Sequence, residues 1–302
     1  MADFGVQLQA DPAVALVPPV CSAPQPGPVH RTQYVIELVG PRSAPAATAN
    51  ALLQVQWAHA LGSPEIFALA PADTVWRPLS ALNQGSYDSL ALCWDLVGPA
   101  GSLSGQSGDH LLQVAESFAS QVGRRAMPMP TPPDLDKAVR AIGKIRDGLD
   151  VGISVVVVCR RSTVYERDLW IQCARLGLTF GSTGAFEWRC ADHPSPLFSV
   201  TPLGNVDTFS LAGVQAGAYH DGVTLGFKVP TCPSPAAALD GMFRAADVIA
   251  DAIGGGVFNP EGQELRTKDR GAMLRDLEGT VQVLNEINVQ PGSAAALKIF
   301  GS

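Results

Sequence analysis

Two spacings of apolar residues alternate along this chain. Short β-branched and aromatic runs bounded by Gly or Pro predict strands; longer stretches with apolar residues three and four apart predict helices. In the first half, "TQYVIELVG" (32–40) reads as a strand and "ATANALLQVQWAHALG" (47–62) as a helix with Leu52, Val55, Trp57 and Leu61 on one face. One or two strands follow over 65–79, another over 87–98, a strongly amphipathic helix over 108–123 and a second helix over 134–150. The second half opens on "ISVVVVC" (153–159), a strand apolar on both faces, followed by a helix at 165–177. "LTFGS" and "AFEWRC" make one irregular strand kinked near Gly181–Gly184; strands at 195–203 and 221–230 lead to a long helix at 234–255, a short hairpin turning at Asn-Pro-Glu-Gly, and a last helix at 266–287.

The two halves rhyme. Each runs strand, helix, further strands, long helix, turn, helix, and Gly123 and Gly254 fall at equivalent points. A period of roughly 130 residues means tandem domains rather than a solenoid. The predicted class is α+β: mostly antiparallel strands with helices on one face, in two similar layers. Prolines at 18, 19, 25 and 28 rule out a continuous helix before residue 31. The expected divisions are therefore a Pro-rich arm or linker at 1–31, a first domain at 32–150 and a second at 151–302.

Composition narrows the function. Of 302 residues, 46% are hydrophobic and only 16% charged, so a sizeable core forms. The net charge of −7 argues against nonspecific binding to nucleic acid or anionic lipid. Arg124–Arg125 and Arg160–Arg161 are the clearest basic pairs, and they read as a solvated edge. Six cysteines, at 21, 93, 159, 173, 190 and 232, show no CxxC spacing and read as reduced, mostly buried thiols of a cytosolic-facing protein. The apolar runs fall far short of the ~20 residues that cross a bilayer.

Candidate chemistry is sparse. In "RAADVIADAIGGGVFNPEG" (244–262) the glycines follow a helix. A phosphate loop needs them before one, where free N–H groups and the positive dipole end meet the anion. The expected role is a left-handed cap. Cys190, Asp192 and His193 in "RCADHP" are the one His/Cys/Asp cluster, and they read as a solvated turn rather than a metal site. No GxSxG elbow and no paired general acid and base stand out. No catalytic residue, metal or cofactor is expected. An open sheet covered on one face leaves the other face for recognition. Phe186 and Trp188 share a face of their strand; periodicity alone puts that face under the helices, while exposure would make them a docking pair.

Residues 151–287 resemble the C-terminal, FtsZ-binding domain of the cell-division protein family ZipA. The resemblance rests on "ARLGLTFG", "SPLFSVTPL", "DTFSLAGV", "GVTLGFKVP" and "ADVIADAIGGGVFNPEG", in that order. The first half and the terminal "GSAAALKIF" are similar to the longer ZipA-like proteins of beta-proteobacteria. The resemblance implies a non-catalytic adaptor that binds the C-terminal tail of FtsZ as a short helix in a shallow apolar groove on the bare sheet face. It carries the groove onto Ile153 and Val155, Phe186 and Trp188, Thr201 and Leu203, and Thr224 and Gly226. Gly226 stands where the family has a large aromatic, Leu203 where it has a methionine and Asn205 where it has a basic residue, so the groove is reshaped. It further implies a cytoplasmic location, no nucleic acid, and membrane contact only through an N-terminal anchor that this chain does not show. The competing reading is a structural protein whose two halves cover each other's apolar faces, with a partner other than FtsZ.

Overall fold

The computed structural model describes residues 8–55, 57, 62–79, 85–98, 101–160, 163–204 and 206–301. These divide into two compact units: the described parts of Pro24–Leu149 with Ala294–Ser302, and of Met1–Ala23 with Asp150–Ser293. Helices and antiparallel sheets make the class α+β. No described helix is long and apolar enough to cross a membrane.

In the first unit the elements are β1 (Gln33–Pro45), α1 (Ala46–Leu52), β2 (Glu65–Leu69), β3 (Arg77–Pro78), β4 (Ser86–Asp95), the paired dipeptides β5 (Val97–Gly98) and β6 (Gly101–Ser102), α2 (Gly105–Gln121), β7 (Arg125–Met129) and α3 (Leu135–Leu149). Its sheet runs β3-β2-β4-β1-β7, antiparallel throughout. Ser104 caps α2 by accepting from the Ser107 N–H, and the helix buries Leu111, Ala115, Phe118 and Ala119. Of the helix read over 47–62, the described residues form α1 alone. After Leu52 the chain tightens into i→i+3 bonds, Leu53 to Asn50, Gln54 to Ala51 and Val55 to Leu52, which end it. Leu61 lies outside the described residues.

Arg124 corrects the solvated-edge reading. It is buried, held there because left-handed Gly123 (φ 67°) turns the chain from α2 into β7. Its guanidinium donates to the carbonyls of Leu38 (2.8 Å), Arg42 (2.9 Å), Tyr87 (3.0 Å) and Asp88 (2.9 Å). These carbonyls flank the point where the β1–β4 register slips between Val39 and Ala44. One side chain thus satisfies acceptors that the bulge takes out of the ladder. Burial pushes its pKa down, opposed by Asp88. Arg160 is exposed and paired with Glu264, and Arg161 lies outside the described residues.

The second unit holds β8 (Gly152–Cys159), β9 (Val164–Tyr165), α4 (Glu166–Arg175), β10 (Thr179–Phe180), β11 (Phe186–Trp188), β12 (Phe198–Leu203), α5 (Leu211–Ala216), β13 (Tyr219–His220), β14 (Gly222–Lys228), α6 (Pro235–Ile253), β15 (Gly255–Phe258) and α7 (Thr267–Glu286). Its sheet runs β10-β11-β12-β14-β8-β15, again antiparallel, and β9 pairs with β13 beside it. The order β12-β14-β8-β15 repeats β2-β4-β1-β7 of the first unit. Helix α6 buries a broad face that includes Ala238, Gly241, Ala245 and Ala246, small enough to bring its backbone close to the sheet. Gly254 (φ 63°) caps it, and Gly255 and Gly256 are already in β15, opposite Cys159 and Val158. A Cβ on Gly255 would stand 2.5 Å from the Val158 carbonyl oxygen. Helix α7 is clamped to α6 by a two-pronged Arg270–Asp247 pair (2.7 and 2.6 Å), with the guanidinium over Phe243.

Both chain ends take part in cores. In the second unit the Asp11 N–H donates to the Arg175 carbonyl and the Leu16 N–H to that of Leu176, and Asp11 pairs with the Arg175 side chain at 2.7 Å. Leu16 is buried there. Cys21 and Cys190 are joined as a disulfide, which corrects the all-reduced reading: the arm folds back across 169 residues of sequence, a proximity that spacing does not reveal. Cys93, Cys173 and Cys232 are buried free thiols, and burial pushes those of Cys93 and Cys232 up to about 12. In the first unit α8 (Ala294–Phe300) buries Ala296, Ile299 and Phe300, while Lys298 reaches Glu65 (2.8 Å) and Asp95 (3.1 Å).

Replacing Arg124 by Met leaves its carbonyl partners without a donor. The expected cost is about 3 kcal/mol, read as a lower urea midpoint in the circular-dichroism transition of the full chain.

Candidate functional site

Strand parity decides which side chains the second sheet offers to solvent. In β8 the odd positions Val155 and Val157 are fully buried against α6, in register with Leu225 and Val223 of β14. In β11 Phe186 (3% exposed) and Trp188 (5%) lie on this same covered face, opposite Val200 and Phe198 of β12. Phe186 packs edge-on against Trp170 and Phe209. The Trp188 ring sits beneath α6, where a Cβ on Gly241 would come within 2.5 Å of it.

The other parity forms the uncovered face, whose register gives three cross-strand rows. The first is Leu203, Gly222, Val158, Gly256; the second Thr201, Thr224, Val156, Phe258; the third Glu187, Ser199, Gly226, Ser154. Val156, Val158, Thr201, Leu203, Thr224 and Phe258 are each partly exposed. Gly222 lies beside Val158 and Gly226 beside Ser154, so no side chain projects there, while the Phe258 ring and the Arg160 guanidinium stand over Gly256. The result is a shallow trough of valine, leucine and threonine methyl groups, bounded in the third row by hydroxyls and by Glu187, which is tied to Arg189 at 2.6 Å.

The eight residues expected to line a groove therefore separate. Thr201, Leu203, Thr224 and Gly226 come together on the uncovered face. Ile153, Val155, Phe186 and Trp188 point the opposite way: Val155, Phe186 and Trp188 are core, and Ile153 is half-buried near the end of β8. The physical reason is the one periodicity gave for the two rings, since large aromatic surface goes under helices when a sheet has one covered face. The residues missed are Val156, Val158 and Phe258. The signal for them was Ser154, the one polar residue inside "ISVVVVC", which marks the even positions as outward, just as Thr201, Thr224 and Glu187 mark their own strands. Asn205 lies outside the described residues.

One end of the face is flanked by the loop from β12 to β14, whose anchor is a buried carboxylate. Glu166 accepts from the Ser210 N–H (2.6 Å) and the Trp170 indole N–H (3.4 Å), and its second oxygen lies 3.1 Å from His220 Nε2. Ser210 caps α5, a helix that buries none of its own side chains; the loop is held by Glu166 and by Phe209, which is buried. His193, read as part of a solvated turn, is also buried: its Nε2 is 2.9 Å from the Gly292 carbonyl and its Nδ1 accepts from the Ser195 N–H. Asp192 is exposed and Cys190 is taken up by the disulfide. Among the described residues no group of three His, Cys, Asp or Glu side chains is placed to hold a metal ion.

The second unit is thus an antiparallel sheet covered on one side and presenting an apolar-hydroxyl trough on the other. Residues 152–276 match the family described as ZipA, C-terminal FtsZ-binding domain, so this part of the second unit is similar to that domain. No curated protein matches the chain.

Two outcomes follow from the geometry. Trp188→Ala opens a cavity under α6 and should cost about 3–5 kcal/mol, seen as a lower midpoint of thermal unfolding, rather than acting on a surface contact. Glu166→Gln leaves donors competing for one carbonyl oxygen; hydrogen exchange of the amides in 210–216 should accelerate while those of β8 stay protected.

Proposed function

We propose that this protein is a non-catalytic adaptor of the division ring, and that the uncovered face of the second sheet receives the C-terminal tail of FtsZ. The observation that carries the reading is the row Thr201, Thr224, Val156, Phe258, with Leu203 and Val158 beside it, inside the residues that match an FtsZ-binding domain. A short amphipathic helix lays its apolar side chains on such a surface, seated over the glycines, with its polar side outward. Gly226 and the hydroxyl row make this trough flatter and less apolar than one walled by a large aromatic. The affinity expected is micromolar, as for other small interfaces.

The first unit, residues 32–150 in the main, is proposed to be a degenerate copy of the same domain. Its strand order and the matching left-handed glycines after α2 and α6 support this. An adaptor of this kind works in the cytoplasm or at the cytoplasmic face of the inner membrane, reaching lipid only through an anchor.

The test is fluorescence anisotropy of a labelled FtsZ C-terminal peptide titrated with the full chain. Leu203→Arg and Thr224→Arg should each weaken binding by about tenfold or more, with circular dichroism and thermal midpoint close to those of the parent. No binding at several hundred micromolar, or parent-like binding by both variants, would overturn the reading.

A further inference from the structure

Strand β8 is paired along its whole length on one side but along only half of it on the other. It meets β14 over residues 152–158 and β15 only over 156–159. Which backbone groups this frees follows from two bonds at its ends. The Cys159 N–H donates to the Asp221 carbonyl, and the Val229 N–H donates to the Val151 carbonyl. Odd positions of β8 therefore face β14, and the N–H and C=O groups of Gly152 and Ser154 face the free edge. Continuing the β15 register would set Pro260 opposite Ser154. Proline has no N–H to give, and the chain turns away there into the 259–263 hairpin, closed by the Asn259 N–H to the Gln263 carbonyl.

The vacated edge is not open surface. It forms one wall of a cleft of about 500 Å³, with the 259–265 hairpin and α7 as the other walls. The volume is within the range of natural ligand sites. Ile153, Leu265, Ala272 and Met273 supply apolar lining. The charged lining residues are all carboxylates: Glu261, Glu264, Asp269 and Asp276. Glu264 is paired with Arg160, and Asp269 accepts the Arg266 N–H at the start of α7. Glu261 and Asp276 are exposed and make no ion pair among the described residues, so the cleft as described carries negative charge.

We infer that this slot is a second docking site, separate from the uncovered face, that accepts an extended segment of alternating apolar and cationic residues as an added strand on β8. The backbone of the segment bonds to Gly152 and Ser154. Its apolar side chains meet Ile153 and Met273, and its cations meet Glu261 and Asp276. Edge addition draws affinity from main-chain bonds and selectivity from alternate side chains. The carboxylates select a basic strand over an acidic one.

The experiment uses the ¹⁵N-labelled full chain and acetyl-Lys-Val-Lys-Val-Lys-Val-amide as probe, against the Glu-for-Lys peptide and a peptide N-methylated at alternate positions. The Lys peptide should shift the Gly152, Ser154 and Leu265 amides and slow exchange at Gly152 and Ser154. It should bind about tenfold more tightly than the Glu peptide and weaken with salt. The double variant Glu261→Gln, Asp276→Asn should weaken it roughly fivefold, and N-methylation of the bonding edge should abolish binding. Equal binding of Lys and Glu peptides, indifference to N-methylation on both edges, shifts confined to the Thr201–Thr224 face, or no binding at millimolar peptide would each overturn the inference.

Discussion

The close seating of α6 on the odd face of β8 and β14 is the constraint on which the second unit depends. Alanines and Gly241 bring the helix near enough to bury Val155, Val157, Val223 and Leu225 completely, with the Trp188 ring under its flank. A fully buried aromatic of this size removes about 150–250 Å² from water, worth several kcal/mol, so the parity of each strand is set by the covered side. A one-residue slip would place three valines, a leucine and a tryptophan in solvent. The uncovered face is what remains. It is composed of residues that the core does not need, which is why glycine and threonine are tolerated there.

Much of this was legible in the sequence. Strand and helix order followed from periodicity, and the matching left-handed glycines after α2 and α6 were placed by their position behind amphipathic runs. The uncovered face was half legible. Thr201 and Thr224 declared their side by polarity, whereas the groove positions in β8 and β11 were carried over from a family pattern against the alternation. Ser154 and Glu187 held the correct phase. Arg124 could not be read from its neighbours, because its role comes from a β-bulge some eighty residues earlier in the chain. The short α5 was equally hidden: it exists because a buried glutamate on another helix holds its first turn, a contact 44 residues apart.

Polar groups do a second kind of service in this protein. Arg124, Glu166 and His193 are buried and each bonds to backbone at a place where the chain leaves regular pairing. Each bond is worth modest net stability, but removing the side chain strands a buried partner. These residues therefore fix loop geometry at the ends of the sheets more than they strengthen the sheets themselves. The loop that flanks Leu203 is held in this way by Glu166.

The exchange of chain ends between the two compact units bears on how the molecule is made. Residues 24–149 are synthesised before 150–293, yet that unit's core is incomplete until Ile299 and Phe300 emerge. The unit synthesised later has these parts in hand once residue 293 is out, including the arm that precedes residue 24. The usual N-terminal-first order of maturation is thereby inverted. The first unit waits through the synthesis of the second for the helix at 294–300, with Lys298 still to reach Glu65 and Asp95.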